Sequence, residues 1–362
     1  MGAPAPSQES ESTVPIADQR LLNQRVTRPG PRGPEKLVAW LGAVQAQEYG
    51  PAKWALGLRS AGTTDKAIER AIDQGRILRT HLLRPTWHFV AAADIRWMLE
   101  LTAPQVHRRM STYDIQLGLD ADVMTRATSV IERALGDGRY LTRRELGAQL
   151  DRAGLPSKPM ELAHIAMYAE LEGVICSGPR RGKQLTYALL ADRAPAARSL
   201  PREEALAELT RRYFRSHGPA TIRDFVWWSG LRTIEARRGV EMSGAKSHEV
   251  DGTTYWTIGR TGGIHRGRKI DVHLLPVYDE FLVAYRDHQA VPRPAYVLGG
   301  FLNALVIAGQ VTGTWRAIAA ANGFMVEVTP LRRLTATQRR SLTQAVTRYR
   351  RFLGVPVSWS IT

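Results

Sequence analysis

Cysteine is almost absent from this chain, and long hydrophobic runs are absent altogether. Cys176 is the single cysteine among 362 residues, which excludes a disulfide framework and a cysteine-based metal site. No stretch approaches 18 continuous apolar residues, so no membrane-spanning helix is predicted. The first residues are polar and rich in proline and serine, without the basic and apolar regions of a secretory signal. We therefore expect a cytoplasmic protein with no membrane partner.

The common signatures of covalent and cofactor-dependent enzymes are also missing. The chain has no G-x-S-x-G elbow, no P-loop and no G-x-G-x-x-G after a predicted strand. Its nine histidines show neither H-E-x-x-H spacing nor a cluster with cysteine, which argues against zinc. We expect no metal and no cofactor, so any catalysis depends on polar side chains alone.

Positive charge, in contrast, is abundant. The chain has 50 Lys and Arg against 34 Asp and Glu, a formal net charge of +16. A chain this basic favours polyanionic partners, and nucleic acid is the first candidate. A ribosome-associated or merely arginine-rich protein is the alternative interpretation of the same charge.

Helices followed by two short strands recur three times along the chain. The second copy is the clearest, because Thr142 and Glu145 form a capping box that begins a helix and residues 177–183 form a basic tip between two strands. In the third copy, Asp251-Gly252 is typical of a tight hairpin turn. Helix, helix and basic-tipped hairpin together predict a winged helix, whose wing can lie along a phosphate backbone.

The predicted fold is mainly α with β: three tandem winged-helix modules, then a C-terminal β-barrel and a terminal helix. The predicted parts are a disordered tail (1–19), a first module with the catalytic motif (20–119), a second module (120–200), a third module (201–262), and a β-barrel with a C-terminal helix (263–362).

Gln45, Ala46 and Gln47 form the most informative short motif. They lie at the close of a predicted helix near 35–47, with Gly50 and Pro51 just beyond as stop signals. Two glutamines two positions apart cannot share one face of a continuing helix, because neighbours on a face lie three or four apart. If both face one site, the helix must end or distort there. A solvated polar helix end is the competing interpretation.

A predicted hairpin in the same module carries the densest polar and aromatic cluster, in the segment RTHLLRPTWH. Strand alternation places Thr86 and His88 on one face and Trp87 on the other, and it pairs Arg79 with His81 on the preceding strand. These five residues and Arg84 are the predicted pocket. A wing with a packed tryptophan and ordinary hydrogen-bonded histidines is the alternative.

Two basic loops are candidates for contacts with DNA phosphates, which would make binding sensitive to salt. Either loop could instead be a solvated turn. The candidate residues are Arg180, Arg181 and Lys183 at the second wing, and His265, Arg266, Arg268 and Lys269 in the Gly-rich loop before the predicted barrel.

Five stretches resemble the HTH_42 superfamily, which includes the AlkZ-like and YcaQ-like bacterial DNA glycosylases. The resemblance covers about residues 18–355. The stretches are QAQEYGPAKWALGLR, RTHLLRPTWHFVAAADIRWML, CSGPRRGKQLTYALL, SHGPATIRDFVWWSGL and LLPVYDEFLVAYRDH. Gln45-Ala46-Gln47 matches the AlkZ-type Gln-apolar-Gln motif, whereas the YcaQ-like branch has Asp at the last position. Pro85 departs from the family pattern, in which Gly is expected, and leaves the placing of Arg84 open.

The resemblance implies a fold of three tandem winged helices with a concave DNA-binding face, followed by a β-barrel. It also implies a monomeric DNA glycosylase that releases N7-alkylated guanine, bulky or crosslinked adducts included, from duplex DNA. Because the chain offers no lysine placed for a Schiff base, we expect a monofunctional enzyme, associated with the nucleoid. Gln45 and Gln47 would be its catalytic residues, and base excision repair or self-resistance to a genotoxic alkylating metabolite would be its role. A non-catalytic regulator or damage-binding protein is the competing interpretation, and a structural nucleoid protein is a third.

Overall fold

The computed structural model describes residues 15–30, 32–259, 271–292 and 302–362. Helices take 48% and strands 21% of them, so the mixed fold with helix predominating is confirmed. No helix in these ranges is long and apolar enough to cross a membrane.

The first region contains five helices and a three-stranded sheet of order β1-β3-β2. Its helices are α1 (Ile16–Asn23), α2 (Pro34–Leu41), α3 (Tyr49–Arg59), α4 (Asp65–Asp73) and α5 (Ile95–Gln116). Its strands are β1 (Val44–Gln45), β2 (Ile77–Leu82) and β3 (Arg84–Ala91). The α1 helix overlaps the end of the predicted disordered tail, so that prediction is wrong for residues 16–19. Residues 1–14 lie outside the described ranges.

The helix before the glutamine motif ends earlier than predicted. It stops at Leu41, because Gly42 adopts φ 83°, a left-handed value that only glycine reaches without strain. The chain is then extended, and Gln45 belongs to a strand. The prediction that Gly50 and Pro51 stop a helix is wrong, because both residues lie in the first turn of α3. The backbone N–H groups of a first helical turn have no partner within the helix, so proline costs no hydrogen bond there.

The second region repeats the same succession of elements with a sheet of order β4-β6-β5. The predicted capping box is confirmed, because Thr142 Oγ1 accepts from Glu145 N at 3.3 Å and Thr142 N donates to Glu145 Oε2 at 2.7 Å. The helices are α6 (Ala121–Leu135), α7 (Arg143–Arg152), α8 (Pro159–Leu171) and α9 (Leu190–Arg193). The strands are β4 (Leu141–Thr142), β5 (Ile175–Ser177) and β6 (Thr186–Leu189).

The third region has three helices and a hairpin. Asp251 and Gly252 both have positive φ, 50° and 72°, as a two-residue hairpin turn requires. Its elements are α10 (Arg202–Ser216), α11 (Ile222–Ser229), α12 (Thr233–Ser243), β7 (Lys246–Val250) and β8 (Thr253–Thr257). A group of helices with a small sheet thus occurs three times. Their assignment as winged helices, and the boundaries between them, stay predictions.

The C-terminal region forms an open sheet, so the predicted β-barrel is wrong. In the described part of the chain the order is β13-β12-β11-β10-β9, and the two end strands are not paired with each other. The elements are β9 (Val272–Leu275), α13 (Glu280–Val283), β10 (Asn303–Ile307), β11 (Gln310–Ala320), β12 (Gly323–Pro330), α14 (Ala336–Leu353) and β13 (Val357–Ile361). The strand predicted at 295–297 lies outside the described residues.

Helices from the first region cover this sheet, which is why it need not close. Trp54 on α3 donates from its indole to the Leu274 carbonyl at 2.7 Å and packs against Phe352 of α14. One hydrophobic core joins residues of α1–α4 to β9–β12 and α14. A sheet whose apolar face is already buried by helices gains no further burial by closing into a barrel.

Two further cores complete the interior. One joins the β2–β3 hairpin and α5 to the helices of the third region. The other lies mainly within the second region, and its buried residues run from Leu119 to Ile175.

Candidate active site

Hydrogen bonds from distant segments hold the backbone of the glutamine motif. Gln45 N donates to Glu280 Oε1 at 2.7 Å, and Ala46 N donates to the Trp87 carbonyl at 2.7 Å. Arg79 Nε donates to the Ala46 carbonyl at 2.9 Å. The motif is therefore fixed between β3 and the segment that begins α13, and its side chains project from a rigid backbone.

The two glutamine side chains differ in exposure and in partner. Gln45 is 7% exposed, and its Oε1 accepts from Arg84 Nη2 at 3.0 Å. Because a guanidinium can only donate, this contact fixes which end of the Gln45 amide faces Arg84, and one lone pair of the oxygen stays available. Gln47 is half-buried, and its Oε1 accepts from Trp87 N at 3.4 Å.

The hairpin divides the predicted pocket between the two faces of its sheet. Gln45 is paired with His88 across β1 and β3, and alternation places Thr86 on the same face. On the other face, the Arg79 guanidinium lies 4.3 Å from the Trp87 ring centre, and the His81 ring lies 4.3 Å from the same ring. The predicted set is thus one cluster beside Gln45 and a second cluster behind the motif.

His88 presents an unpaired acceptor on the Gln45 side. Its Nδ1 lies 2.9 Å from the Thr86 carbonyl, which can only accept, so Nδ1 carries the proton. Burial lowers the pKa of His88 to about 3, assisted by the positive charge of Arg84, so the ring is neutral and Nε2 is an acceptor. Within the described ranges, His88 Nε2, Thr86 Oγ1 and Trp87 Nε1 are buried without a hydrogen-bond partner.

Glu280 is a fully buried carboxylate behind Gln45. Its Oε2 accepts from Trp228 Nε1 at 3.0 Å and lies 3.3 Å from His217 Nε2, while Oε1 accepts from Gln45 N. Burial alone would raise the pKa of Glu280, but the hydrogen bonds with His217 and the Gln45 backbone outweigh it and lower the pKa to about 2. Glu280 therefore supplies a negative charge that water does not screen.

Two acidic residues at this site, Glu280 and Glu170, have no local signal in the sequence. Glu280 lies within LLPVYDEFLVAYRDH, one of the stretches that carry the family resemblance, but its contact with Gln45 spans 235 positions. Glu170 of α8 accepts from His81 Nδ1 across 89 positions and fixes the cluster behind the motif. Pairings over such separations cannot be inferred from periodicity or spacing.

The predicted DNA-binding residues of the second hairpin have mixed environments. Arg180 forms an ion pair with Glu69 at 3.4 Å and so connects this hairpin to the first region. Arg181 bonds Glu145 at 2.8 Å, whereas Lys183 is exposed. A cavity of about 470 Å³ opens beside them and includes Arg139 in its lining. His265, Arg266, Arg268 and Lys269 lie outside the described residues.

Metal-dependent and lysine-dependent chemistry find little support among the described residues of the site. Within the described ranges, no group of three or more His, Cys, Asp or Glu side chains could hold a metal ion. Lys53, on the helix that follows the motif, donates to Asp65 at 3.0 Å and to Glu69 at 2.7 Å. Its amine is therefore occupied by two carboxylates, which disfavours it as a nucleophile.

Comparisons with known proteins concern the family and the fold of the chain. The profile of the family described as "DNA glycosylase AlkZ-like" matches residues 38–352. An "Interstrand DNA cross-link repair glycosylase" of Streptomyces sahachiroi is 26% identical over 323 residues, 78% of this chain and 81% of that protein. The solved structure of Streptomyces sahachiroi DNA glycosylase AlkZ superposes with a TM-score of 0.78 at 21% identity, covering 96% of this chain and 98% of the other. The latter likeness confirms the fold.

Proposed function

This chain belongs to the AlkZ-like DNA glycosylases, and we propose that it hydrolyses the N-glycosidic bond of N7-alkylated guanine in duplex DNA. The observation that carries the proposal is the glutamine pair on a backbone fixed by Glu280, Trp87 and Arg79. Bulky and crosslinked adducts are included because the Streptomyces sahachiroi relative is an interstrand cross-link repair glycosylase.

The chemistry suits neutral side chains. An N7-alkylated guanine carries a positive charge, so the bond between C1′ and N9 breaks with its electron pair passing to a base that departs neutral. The sugar becomes an oxocarbenium-like cation, water adds at C1′, and a proton passes to solvent. A glutamine cannot act as a base near pH 7, but its carbonyl oxygen can accept a hydrogen bond from the attacking water and its dipole can face the cation.

The geometry supports these two roles, positioning of the water and stabilisation of the sugar cation. Arg84 leaves one lone pair on Gln45 Oε1, and the unpaired His88 Nε2 lies on the same face of the sheet. The negative charge of Glu280 favours a cation near Gln45 and partly offsets the positive charge of Arg84. Fixed dipoles of this kind stabilise developing charge without reorganising during the reaction.

Neutral amides also favour selectivity for alkylated purines over undamaged purines. Undamaged purines need acid catalysis to depart, and neither glutamine can supply a proton donor of the required strength. With Lys53 held by two carboxylates, we propose a monofunctional enzyme that leaves an abasic site. Base excision repair and self-resistance to an alkylating metabolite are both consistent with this reaction. Inspection of the flanking genes would separate the two roles, because a self-resistance gene is expected beside the genes that make the metabolite.

The test is single-turnover release of N7-methylguanine from an oligonucleotide duplex. Gln45→Ala and Gln47→Ala are each expected to lower the rate about a hundredfold, the usual loss when one stabilising dipole is removed. Gln310→Ala, at an exposed position where β11 begins, is the matched control and should release base at the wild-type rate.

Fluorescence anisotropy on the same duplex shows whether each variant still binds DNA. Wild-type rates in both active-site variants would overturn the assignment. A protein that shifts the duplex but releases no base would instead be a damage-binding protein, and a duplex carrying a defined interstrand crosslink tests whether unhooking occurs.

A further inference from the structure

An exposed tryptophan lies beside the candidate active site. Trp227 on α11 is 42% exposed, and the Arg84 guanidinium lies 5.7 Å from its ring centre. The same guanidinium donates to Gln45 Oε1 at 3.0 Å. One arginine side chain therefore separates an exposed indole from the first glutamine of the motif.

The indole is held in place by neighbouring elements. Trp227 Nε1 donates to the Val283 carbonyl at 3.0 Å. Helix α11 ends at Gly230, where a Cβ would lie 2.1 Å from the Leu83 carbonyl oxygen in the β2–β3 turn. This close approach fixes α11 against the hairpin, so the ring keeps a constant position relative to the motif.

The neighbouring residue, Trp228, has a different environment. Trp228 is fully buried and donates to Glu280, so it supports the site from inside. Trp227, by contrast, offers a large aromatic surface to solvent. Trp228 is therefore part of the packed core, whereas much of the Trp227 ring is left uncovered by folding.

The surroundings of Trp227 are positively charged. The Arg286 guanidinium lies 5.2 Å from the ring centre, and Arg109 donates to the Gly230 carbonyl at 3.2 Å. Both arginines are exposed, and in the part of the chain that the structure describes neither has an acidic side chain within ion-pair distance. An aromatic surface among unpaired cations is typical of sites where a base stacks and its phosphates are bound.

We propose that Trp227 is a stacking site for a nucleobase at the lesion, with Arg109 and Arg286 binding the adjoining phosphates. This inference rests on the proposed function, because it takes duplex DNA as the ligand. Any base offers a π face, so the site accepts a neighbouring or opposite base regardless of sequence. Because Arg84 connects the indole to Gln45, a base on Trp227 keeps the damaged strand beside the motif without a deep pocket for the adduct.

The test measures binding without chemistry. The probe is a duplex with a tetrahydrofuran abasic analogue and 2-aminopurine placed opposite it, 5′ to it or 3′ to it, in three separate duplexes. The wild type is expected to quench at least one of these fluorophores by stacking. Trp227→Ala should abolish that quenching and weaken binding about tenfold, within the range measured for aromatic stacking on bases.

Two variants separate stacking from structure. Trp227→Phe lacks the indole N–H that bonds Val283 but keeps a ring, so it should retain most of the quenching and the affinity. Tyr113→Ala removes another exposed aromatic, 58% accessible, and should behave as wild type. Circular dichroism confirms that each variant is folded.

The outcomes are distinct from those of the glycosylase assay. Equal quenching and affinity in the wild type and Trp227→Ala at all three positions would overturn the stacking site, even if base release occurs. Loss of quenching in Trp227→Ala with retention in Trp227→Phe would support it, even if Gln45 and Gln47 prove unnecessary for base release.

Discussion

The second region and the glutamine site are held together in different ways. The second region, built from α6 to α9, has a hydrophobic core of its own, and its Thr142–Glu145 capping box joins residues three positions apart. The glutamine site is assembled across the chain: Gln45 meets Arg84 over 39 positions and Glu280 over 235. Loss of a local contact therefore affects one helix end, whereas loss of a contact at the site affects three regions together.

Buried ion pairs lie around the glutamine site. Arg59 donates to both oxygens of Asp279 at 2.7 Å, next to Glu280, and Arg20 lies 3.6 Å from Asp224. These groups are nearly inaccessible to water, so each depends on its partner to offset the cost of desolvation. The region around the glutamines is thus fixed by polar pairings as well as by packing.

The largest effect should follow a change at Glu280. Glu280→Gln removes the charge and directs an amide N–H₂ at groups that donate, so we expect a loss of about 3–5 kcal/mol of stability, as for other broken buried charge pairs. Base release should fall as well, because the Gln45 backbone loses its anchor. Urea unfolding and single-turnover kinetics measure the two effects.

Thr142→Ala is the counterpart in the second region. It removes a cap and should cost only about 1 kcal/mol, with base release unchanged. Equal losses of stability in the two variants would contradict the contrast between local and long-range cohesion.

A pair of glycines gives a second, smaller contrast. Gly230 and Gly154 have similar left-handed conformations, with φ 74° and 64°, but only at Gly230 would a Cβ collide with backbone from another region. Gly154→Ala should cost about 1 kcal/mol from backbone strain alone. Gly230→Ala adds overpacking against Leu83 and should cost about 3 kcal/mol. Chemical denaturation tests this, and a Gly154→Ala loss as large as that of Gly230→Ala would refute it.

Acidification should weaken the site through its histidines. The pKa of His88 falls from 6.5 to about 3 on folding, so below pH 6.5 the unfolded chain binds a proton that the folded chain does not. Stability from this group is therefore complete above pH 6.5 and is lost as the pH falls toward 3, by about 2 kcal/mol at pH 5. Burial lowers the pKa of His217 too, which adds to the loss.

His88→Asn isolates this contribution. Its amide N–H can replace the Nδ1–H donated to Thr86, but it does not titrate. Unfolding free energies at pH 7 and pH 5 should therefore differ less in the variant than in the wild type. The same pH dependence in both proteins would show that the charge state of His88 is not responsible.

Local signals predicted local structure well. The capping box at Thr142, the Asp251-Gly252 turn and the β2–β3 hairpin were all predicted from neighbouring residues, because the interactions that form them are local. The AlkZ-like family resemblance is confirmed by the profile match. The assignment of the Gln-Ala-Gln motif to catalysis stays a prediction.

The two errors have different causes. The helix before the motif was extended to residue 47 because its apolar pattern continues, but Gly42 ends it and β3 takes the next residues as a strand partner. The C-terminal strands were predicted to close into a barrel, but α1–α4 bury the sheet instead. The first error therefore missed a local stop signal at Gly42, whereas in the second, partners distant in the chain outweighed the local pattern.

Sequence alone determined the charge, the family and the succession of helices and hairpins, because composition, caps and turns depend on residues near one another. Only the tertiary structure decided that Glu280, Arg79 and Trp87 hold the glutamine backbone, and that Trp227 stays exposed while Trp228 is buried. These outcomes depend on which surfaces meet across separations of 33 to 235 positions, and the free energy of such contacts has no counterpart in the local spacing of the chain.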